Sequence, residues 1–282
     1  MLPVQENQIE VDGVSLTVDR VGRGEPVLCL TAIGHDAHDF DALAKLVGDR
    51  FELFRVEWPG HGRSGEDSKP VSATRYAELV DGLVARLGLS RPLIIGNSIG
   101  GAAAILHACR HPVRGLVLCD SGGLIEIDRT VQRFCGAFER FFAAGERGVG
   151  WYGPAFALYY RLVLPAPAAK AQRRRIVAAG RRSAPVLRQA WASFGRPEAD
   201  LRAAAAQIDA PIWVAWARRD RVIPLKACRP AIERLRHVTL TEFDAGHSAF
   251  LEQPDAFARG FLEFVDGALE QARPPVGAVA RA

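Results

Sequence analysis

The chain has 282 residues, of which 49% are hydrophobic and 24% charged, which is the composition of an ordinary globular protein and excludes a disordered or fibrous one. Its 36 Lys and Arg against 32 Asp and Glu leave a net charge of +4, too small for a nucleic-acid footprint unless clustered, and no apolar run reaches the roughly 18 to 20 residues of a membrane span. The opening MLPVQENQIEVDG lacks the basic start and apolar stretch of a signal peptide, so a cytoplasmic protein is expected, and Cys29, Cys109, Cys119, Cys135 and Cys228, with no C-x-x-C pair, read as free thiols.

In chain order, IEVDGVSLTVDRVG places Asp12-Gly13 between two short runs, with Val14, Leu16 and Val18 alternating with polar residues, the pattern of an antiparallel hairpin. Continuous apolar runs of the kind buried on both faces of a sheet follow at 26–31 (PVLCLT), 51–57 (FELFRVE), 92–97 (PLIIGN), 115–120 (GLVLCD), 211–216 (PIWVAW) and 238–243 (VTLTEF). Between them lie helical patterns such as Tyr76, Leu79, Val80, Leu83, Val84 and Leu87. Strands alternating with helices predict an α/β domain with a mostly parallel sheet covered on both faces. The alternation lapses over 124–206, a stretch rich in Ala, Arg and aromatic residues and broken by prolines, and strands then resume. The expected organisation is therefore one α/β body over 1–123 and 207–270, a helical insertion at 124–206, and a disordered tail at 271–282 (ARPPVGAVARA and its preceding Gln).

The segment LIIGNSIGGAAAIL sets one Ser among glycines where a strand hands over to a helix. A nucleophilic Ser needs such a place: a sharp turn presents its Oγ to a substrate, the turn strains the backbone, and only very small neighbours, here Gly96 and Gly100, avoid a clash. The helix start also sets backbone N–H groups, that of Ile99 among them, beside Ser98, where they can hold a developing oxyanion. G-x-S-x-G arises by chance in about one chain of this length in ten, and a glycine-rich helix entry with a capping Ser is the bland alternative. The buried run before the motif and the Ala-rich helix after it favour the nucleophile.

A Ser nucleophile needs a base, and the base an orienting acid. Of seven His, His247 in FDAGHSAFLEQPDAF follows the last strand, at the sheet edge where ligands of open α/β sheets bind. His61 in WPGHGRSG and His35 and His38 after the 26–31 run lie at similar edges, whereas His107, His111 and His237 fall on or beside helices. For the acid, Asp220 in ARRDRVIP follows a strand, with Asp120 after GLVLC as the alternative.

With these residues assembled, the chain resembles the α/β-hydrolase family, and within it the lid-bearing esterases, haloperoxidases and carbon-carbon hydrolases. The order Ser98, Asp220, His247 is the family's order of nucleophile, acid and base. EWPGHGRSG is similar to the loop after the family's fourth strand, ARRDRVIP to its acid loop, and AGHSAFLEQPDAF to its histidine loop. The resemblance implies an eight-stranded, mostly parallel sheet flanked by helices, with 124–206 as a helical cap after the sixth strand. Many relatives carry His-Gly after the third strand; Thr31-Ala32 stands there, which makes the N–H of Ile33 the implied second oxyanion donor. Glu57 stands where relatives often have Asp, and a Ser nucleophile argues against the haloalkane dehalogenases and epoxide hydrolases.

The activity implied is hydrolysis of a small carboxylic ester through Ser98, His247 and Asp220, with no metal or organic cofactor. G-N-S-x-G-G is also familiar from carbon-carbon bond hydrolases, although those often follow the histidine with Trp where Ser248 stands here. Lactones and thioesters share the machinery, and a non-catalytic ligand-binding member of the fold is a further alternative. Among the insertion's aromatics, from Phe138 to Phe194, most are expected to build its own core and some to wall an apolar pocket. The run KAQRRRIVAAGRR reads as a solvated helix face, with a site for an anionic substrate or partner as the alternative.

Overall fold

The computed structural model describes residues 3–271; apart from Gln271, the expected tail lies outside the described residues. Asp12 and Gly13 both take left-handed backbone, φ 47° and 78°, as a two-residue type I′ turn requires, and Val11 pairs directly with Val14. This turn joins β1 (Val4–Val11) to β2 (Val14–Gly22), which runs antiparallel to β4. The apolar runs form β3 (Glu25–Leu30), β4 (Phe51–Val56), β5 (Leu93–Asn97), β6 (Gly115–Cys119), β7 (Ile212–Ala217) and β8 (Val238–Phe243). The eight strands lie in the order β1-β2-β4-β3-β5-β6-β7-β8, parallel from β4 to β8.

Strands β5, β6 and β7 are buried at every residue, as continuous apolar runs demand. VTLTEF departs from that expectation: β8 closes the edge of the sheet, and only Phe243 is fully buried. Its alternating Thr and Glu are what an edge position tolerates.

Helices α1 (Asp41–Val47), α2 (Ala73–Arg86) and α3 (Ile99–Ala108) follow β3, β4 and β5. The predicted stripe on α2 turns inward at Tyr76, Leu79, Val80 and Leu83, and Ser72 caps its start by accepting the N–H of Arg75 at 3.0 Å. Between β6 and β7 come α4 (Arg129–Glu146), α5 (Tyr152–Val163), α6 (Lys170–Ala179), α7 (Ala184–Phe194) and the short α8 (Arg202–Ala205). This insertion opens and closes on one contact, the N–H of Leu201 donating to the carbonyl of Gly123 at 2.9 Å. Helix α9 (Leu225–Ile232) precedes β8, and α10 (Ala249–Glu252) and α11 (Pro254–Gln271) end the described chain. Helix α1 packs with α10 and α11, and α2 with α3, so the sheet is flanked by two helical groups. No described helix is long and apolar enough to cross a membrane.

The parallel strands all point one way. Ile33, His61, Ser98, Asp120, Asp220 and His247 each follow the carboxyl end of a strand and so gather along one edge of the sheet, beneath the insertion.

Candidate active site

Between β5 and α3 stands one residue, Ser98, at φ 54° and ψ −118°, a conformation that costs a residue with a Cβ about 1 to 3 kcal/mol. The strain is held from both sides: the N–H of Ser98 donates to Cys119 O at 3.1 Å, and Ser98 O accepts from Gly101, Ala102 and Gly122. A Cβ on Gly96 would lie 2.6 Å from Gly100 O, and one on Gly100 would lie 2.5 Å from Leu30 O, so only glycine lets the elbow close against β3. The Ser98 hydroxyl makes no capping bond to the helix it begins, unlike the bland alternative of a capping Ser, and Ser98 lines both cavities.

His247 lies in the loop after β8, buried, with Nδ1 2.8 Å from Asp220 Oδ2. The other oxygen of Asp220 accepts the N–H groups of Val222 at 2.7 Å and Ile223 at 3.0 Å, which fixes the carboxylate and its acceptor face. Since Nδ1 donates to Asp220, Nε2 is the nitrogen left to accept a proton, and His247 and Ser98 line the same small cleft. Burial alone would depress the imidazole's pKa, but the charge and hydrogen bond of Asp220, with Asp120 and Glu252 behind, raise it to about 9. Asp120 is not the partner of His247: its Oδ1 accepts the N–H of Ala217 at 2.8 Å, and its Oδ2 has no hydrogen-bond partner. Burial and the neighbouring Asp220 push its carboxyl well above the usual carboxylate range.

The loop after β3 runs Thr31-Ala32-Ile33-Gly34. Its left-handed residue is Gly34, φ 81°, and not the position where Ala32 replaces the relatives' Gly, so the chain keeps the freedom the loop needs two residues later. His61 anchors it: Nε2 accepts the N–H of Gly34 at 2.8 Å while Nδ1 donates to Pro59 O at 2.9 Å. Burial lowers the His61 pKa to about 4, which keeps the ring neutral and able to accept. Glu57 in turn pins this His61 loop by accepting the Arg63 N–H at 2.8 Å. Among the described residues neither Ile33 N–H nor Ile99 N–H is spent on a backbone acceptor. Ile33 lines the small cleft and Ile99 the larger cavity, each with Ser98.

Two spaces meet at Ser98. One, about 30 Å³, lies beside His247 under Tyr159, Tyr160 and Leu187. The other, about 290 Å³, is walled by apolar side chains of the insertion and the acid loop, including Ile125, Val131, Phe134, Trp191, Phe194 and Ile223. Of the aromatics expected to wall a pocket, Tyr159, Tyr160, Trp191 and Phe194 do so, while Phe142, Tyr152 and Phe156 pack together in the insertion's interior. Phe134, which the sequence reading missed, is a wall residue.

The sequence reading also missed what holds the histidine loop. Asn97, fully buried, donates to Cys119 O at 2.9 Å and His247 O at 3.1 Å and accepts the Ser248 hydroxyl at 2.9 Å. Glu252 Oε1 accepts the N–H of Gly246 at 2.7 Å and of His247 at 3.0 Å, and its Oε2 accepts that of Ala166 from the insertion at 3.1 Å. The two unusual residues of the motifs, Asn97 and Ser248, are thus partners of each other.

The remaining candidates fall elsewhere. His35 pairs with buried Asp39, His38 with exposed Asp41, and His107 and His111 with Asp81 between α2 and α3. Among the described residues, Asp81, His107 and His111, and likewise Asp120, Asp220 and His247, bring donor atoms within 4.8 Å of one another and are the groups that could hold a cation. In the second group Asp220 already serves three N–H donors. Burial raises the thiol pKa of all five cysteines, so none is an activated nucleophile. In the basic run, Arg173 bonds Leu164 O, Arg175 bonds Gln172 and Arg181 bonds Gly148 O, and none of its arginines lines either space.

A family model described as "Alpha/beta hydrolase family" matches residues 27–260. The chain is 28% identical over 284 aligned residues to a pimeloyl-[acyl-carrier protein] methyl ester esterase of Chromobacterium violaceum, covering 90% of this chain and 99% of that one. Among solved structures, an esterase from Exiguobacterium antarcticum superposes with a TM-score of 0.77 at 17% identity, covering 94% of this chain and 100% of that one. The enol-lactonase of Burkholderia xenovorans superposes with a TM-score of 0.76 at 20% identity, covering 92% and 100%.

Proposed function

The chain belongs to the alpha/beta hydrolase family, and from that premise we propose that it is a serine hydrolase of carboxylic esters in which Ser98 is the nucleophile, His247 the base and Asp220 the acid. The observation that carries the reading is a strained, uncapped Ser98 opening on the same cleft as an imidazole whose Nδ1 is tied to a buried carboxylate.

His247 Nε2 takes the hydroxyl proton as Ser98 Oγ attacks the acyl carbon, and the N–H groups of Ile99 and Ile33 hold the oxyanion. The imidazolium, stabilised by Asp220, gives that proton to the departing alkoxide, and the acyl group stays on Ser98. Water, deprotonated by His247, then releases the acid and regenerates the serine. Helices α4, α5 and α7 act as the cap, because they supply side chains to the walls of both spaces, Phe134, Trp191 and Phe194 to the larger and Tyr159, Tyr160 and Leu187 to the smaller.

The two spaces divide the substrate. The alkoxide must leave beside His247, and the cleft there, about 30 Å³, fits a small alcohol; the apolar cavity of about 290 Å³ takes the acyl chain. The methyl ester named for the Chromobacterium relative fits this division. Asn97 gives no separate support to carbon-carbon cleavage, since its side chain is fully used in bridging β6 and the histidine loop. Methyl octanoate should be hydrolysed by the wild type, and Ser98→Ala should lower kcat by roughly 10⁴ to 10⁶-fold at unchanged thermal stability. Undiminished turnover by a folded Ser98→Ala would overturn the assignment.

A further inference from the structure

The larger cavity is lined mostly by apolar side chains. Of the side chains lining it, Arg221 alone is charged, and it is exposed whereas Ser98 is buried. Its neighbours in the same loop are otherwise engaged: Arg218 Nε lies 3.4 Å from Glu242, and Arg219 Nε lies 3.0 Å from Asp244 while its Nη2 donates to Asp244 O. Among the described residues Arg221 has neither an ion pair nor a hydrogen bond, although the acid loop that carries it is fixed by the bonds from Val222 and Ile223 to Asp220. A free, exposed guanidinium on a fixed loop that lines a largely apolar cavity is a fork for a carboxylate. An anion bound there keeps part of its hydration, so it escapes the penalty that would bar a charge from the cavity itself.

The geometry points to half-esters of α,ω-dicarboxylic acids as the substrate class. The ester lies at Ser98, the methylenes fill the apolar cavity, and the far carboxylate is read by Arg221. The assignment rests on the ester-hydrolase reading of Ser98 and adds specificity to it. It also moves anion recognition away from the Arg-rich segment of α6, none of whose arginines reaches the cavity.

The test separates binding from turnover. In Ser98→Ala, the monomethyl esters of glutaric through sebacic acid are titrated calorimetrically, each beside the isostere whose carboxylate is replaced by a primary amide. The best-fitting half-ester should bind about fivefold tighter than its amide at low salt, with the preference shrinking near about 0.5 M salt. Adding Arg221→Gln should abolish the preference, and Arg221→Lys should restore part of it. A preference below about twofold across the whole series, or one that survives Arg221→Gln, overturns the proposal. Turnover of methyl octanoate by the wild type is the companion measurement. Hydrolysis without a charge preference removes Arg221 and leaves the ester-hydrolase reading; a charge preference without any hydrolysis does the reverse.

Discussion

The sheet body and the helical insertion converge on one serine but are held by different forces. In the body, each group proposed for chemistry follows a strand and is fixed by directional bonds: Ser98 by Cys119, Gly101 and Gly122, Asp220 by Val222 and Ile223, and His247 by Asp220, Asn97 and Glu252. In the insertion, α4, α5 and α7 hold together largely through ring contacts, such as Phe138 stacked on Trp191 at 4.4 Å and Phe138 against Tyr159 at 5.3 Å. Its polar ties to the body are local, among them Ala166 to Glu252, Gln172 to Asp36 and Val71 to Gln189. Directional bonds fix atoms to the tolerance that bond-making needs, whereas packed rings define a shape. Damage to the body should therefore appear in kcat, and damage to the insertion in KM.

The largest effect should come from the elbow. Gly100→Ala drives a Cβ to 2.5 Å from Leu30 O, a contact that backbone cannot relieve cheaply; it should destabilise the fold by about 3 kcal/mol or more and remove activity. Thermal unfolding and ester turnover measured together check this, and a stable, active Gly100→Ala would show that the elbow is looser than its geometry.

Next in size is the bond network behind His247. Asn97→Ala strands the Ser248 hydroxyl and the carbonyl of His247 and should cost about 1 to 3 kcal/mol, and Ser248→Ala should cost less. Because the two touch, the double variant should depart from additivity by about 0.5 kcal/mol or more, which denaturant unfolding of the four proteins measures. Strict additivity would mean that the pair does not act as one unit.

The pH dependence probes the same network. The carboxylates around His247 raise its pKa from 6.5 to about 9, and the imidazole must be unprotonated to accept the Ser98 proton. The ratio kcat/KM should consequently climb with pH through an apparent pKa above 6.5, and Asp220→Asn should move that pKa down. A profile already flat at pH 6 would contradict the electrostatics.

The smallest effect belongs to the insertion. Phe134 is partly exposed and lines only the larger cavity, so Phe134→Ala should leave stability within about 0.5 kcal/mol. It should raise KM about fivefold for a long acyl ester and leave a short one nearly unchanged. A fall in kcat for both esters would break the division between the two regions.

The same division governs what the sequence discloses. The Asp12-Gly13 turn, the buried runs and the spacing of Ser98 between Gly96 and Gly100 are local, and local sterics dictate them. The contrast between Asp220 and Asp120 was legible as two strand-end acids, but only the fold shows that Asp220 meets His247 while Asp120 turns to Ala217. The edge position of β8 was hidden because strand order is set by long-range pairing, although its Thr and Glu were a hint. Asn97 and Ser248 stand 151 positions apart, and nothing short of tertiary structure joins them. The cavity walls were the least legible part: aromatic residues of α4 and α5 share one composition, and the turn of each helix decides whether a ring faces its own core or the serine.

The account depends most on Ser98 being an activated nucleophile. Wild type, Ser98→Ala and His247→Ala, each shown to be folded, are incubated with a fluorophosphonate probe and followed by intact mass and peptide mapping. The account predicts a single adduct on the peptide carrying Ser98 in the wild type, none in Ser98→Ala, and labelling slowed by orders of magnitude in His247→Ala. An adduct formed at the wild-type rate in Ser98→Ala, or a folded wild type that the probe never labels, would contradict it.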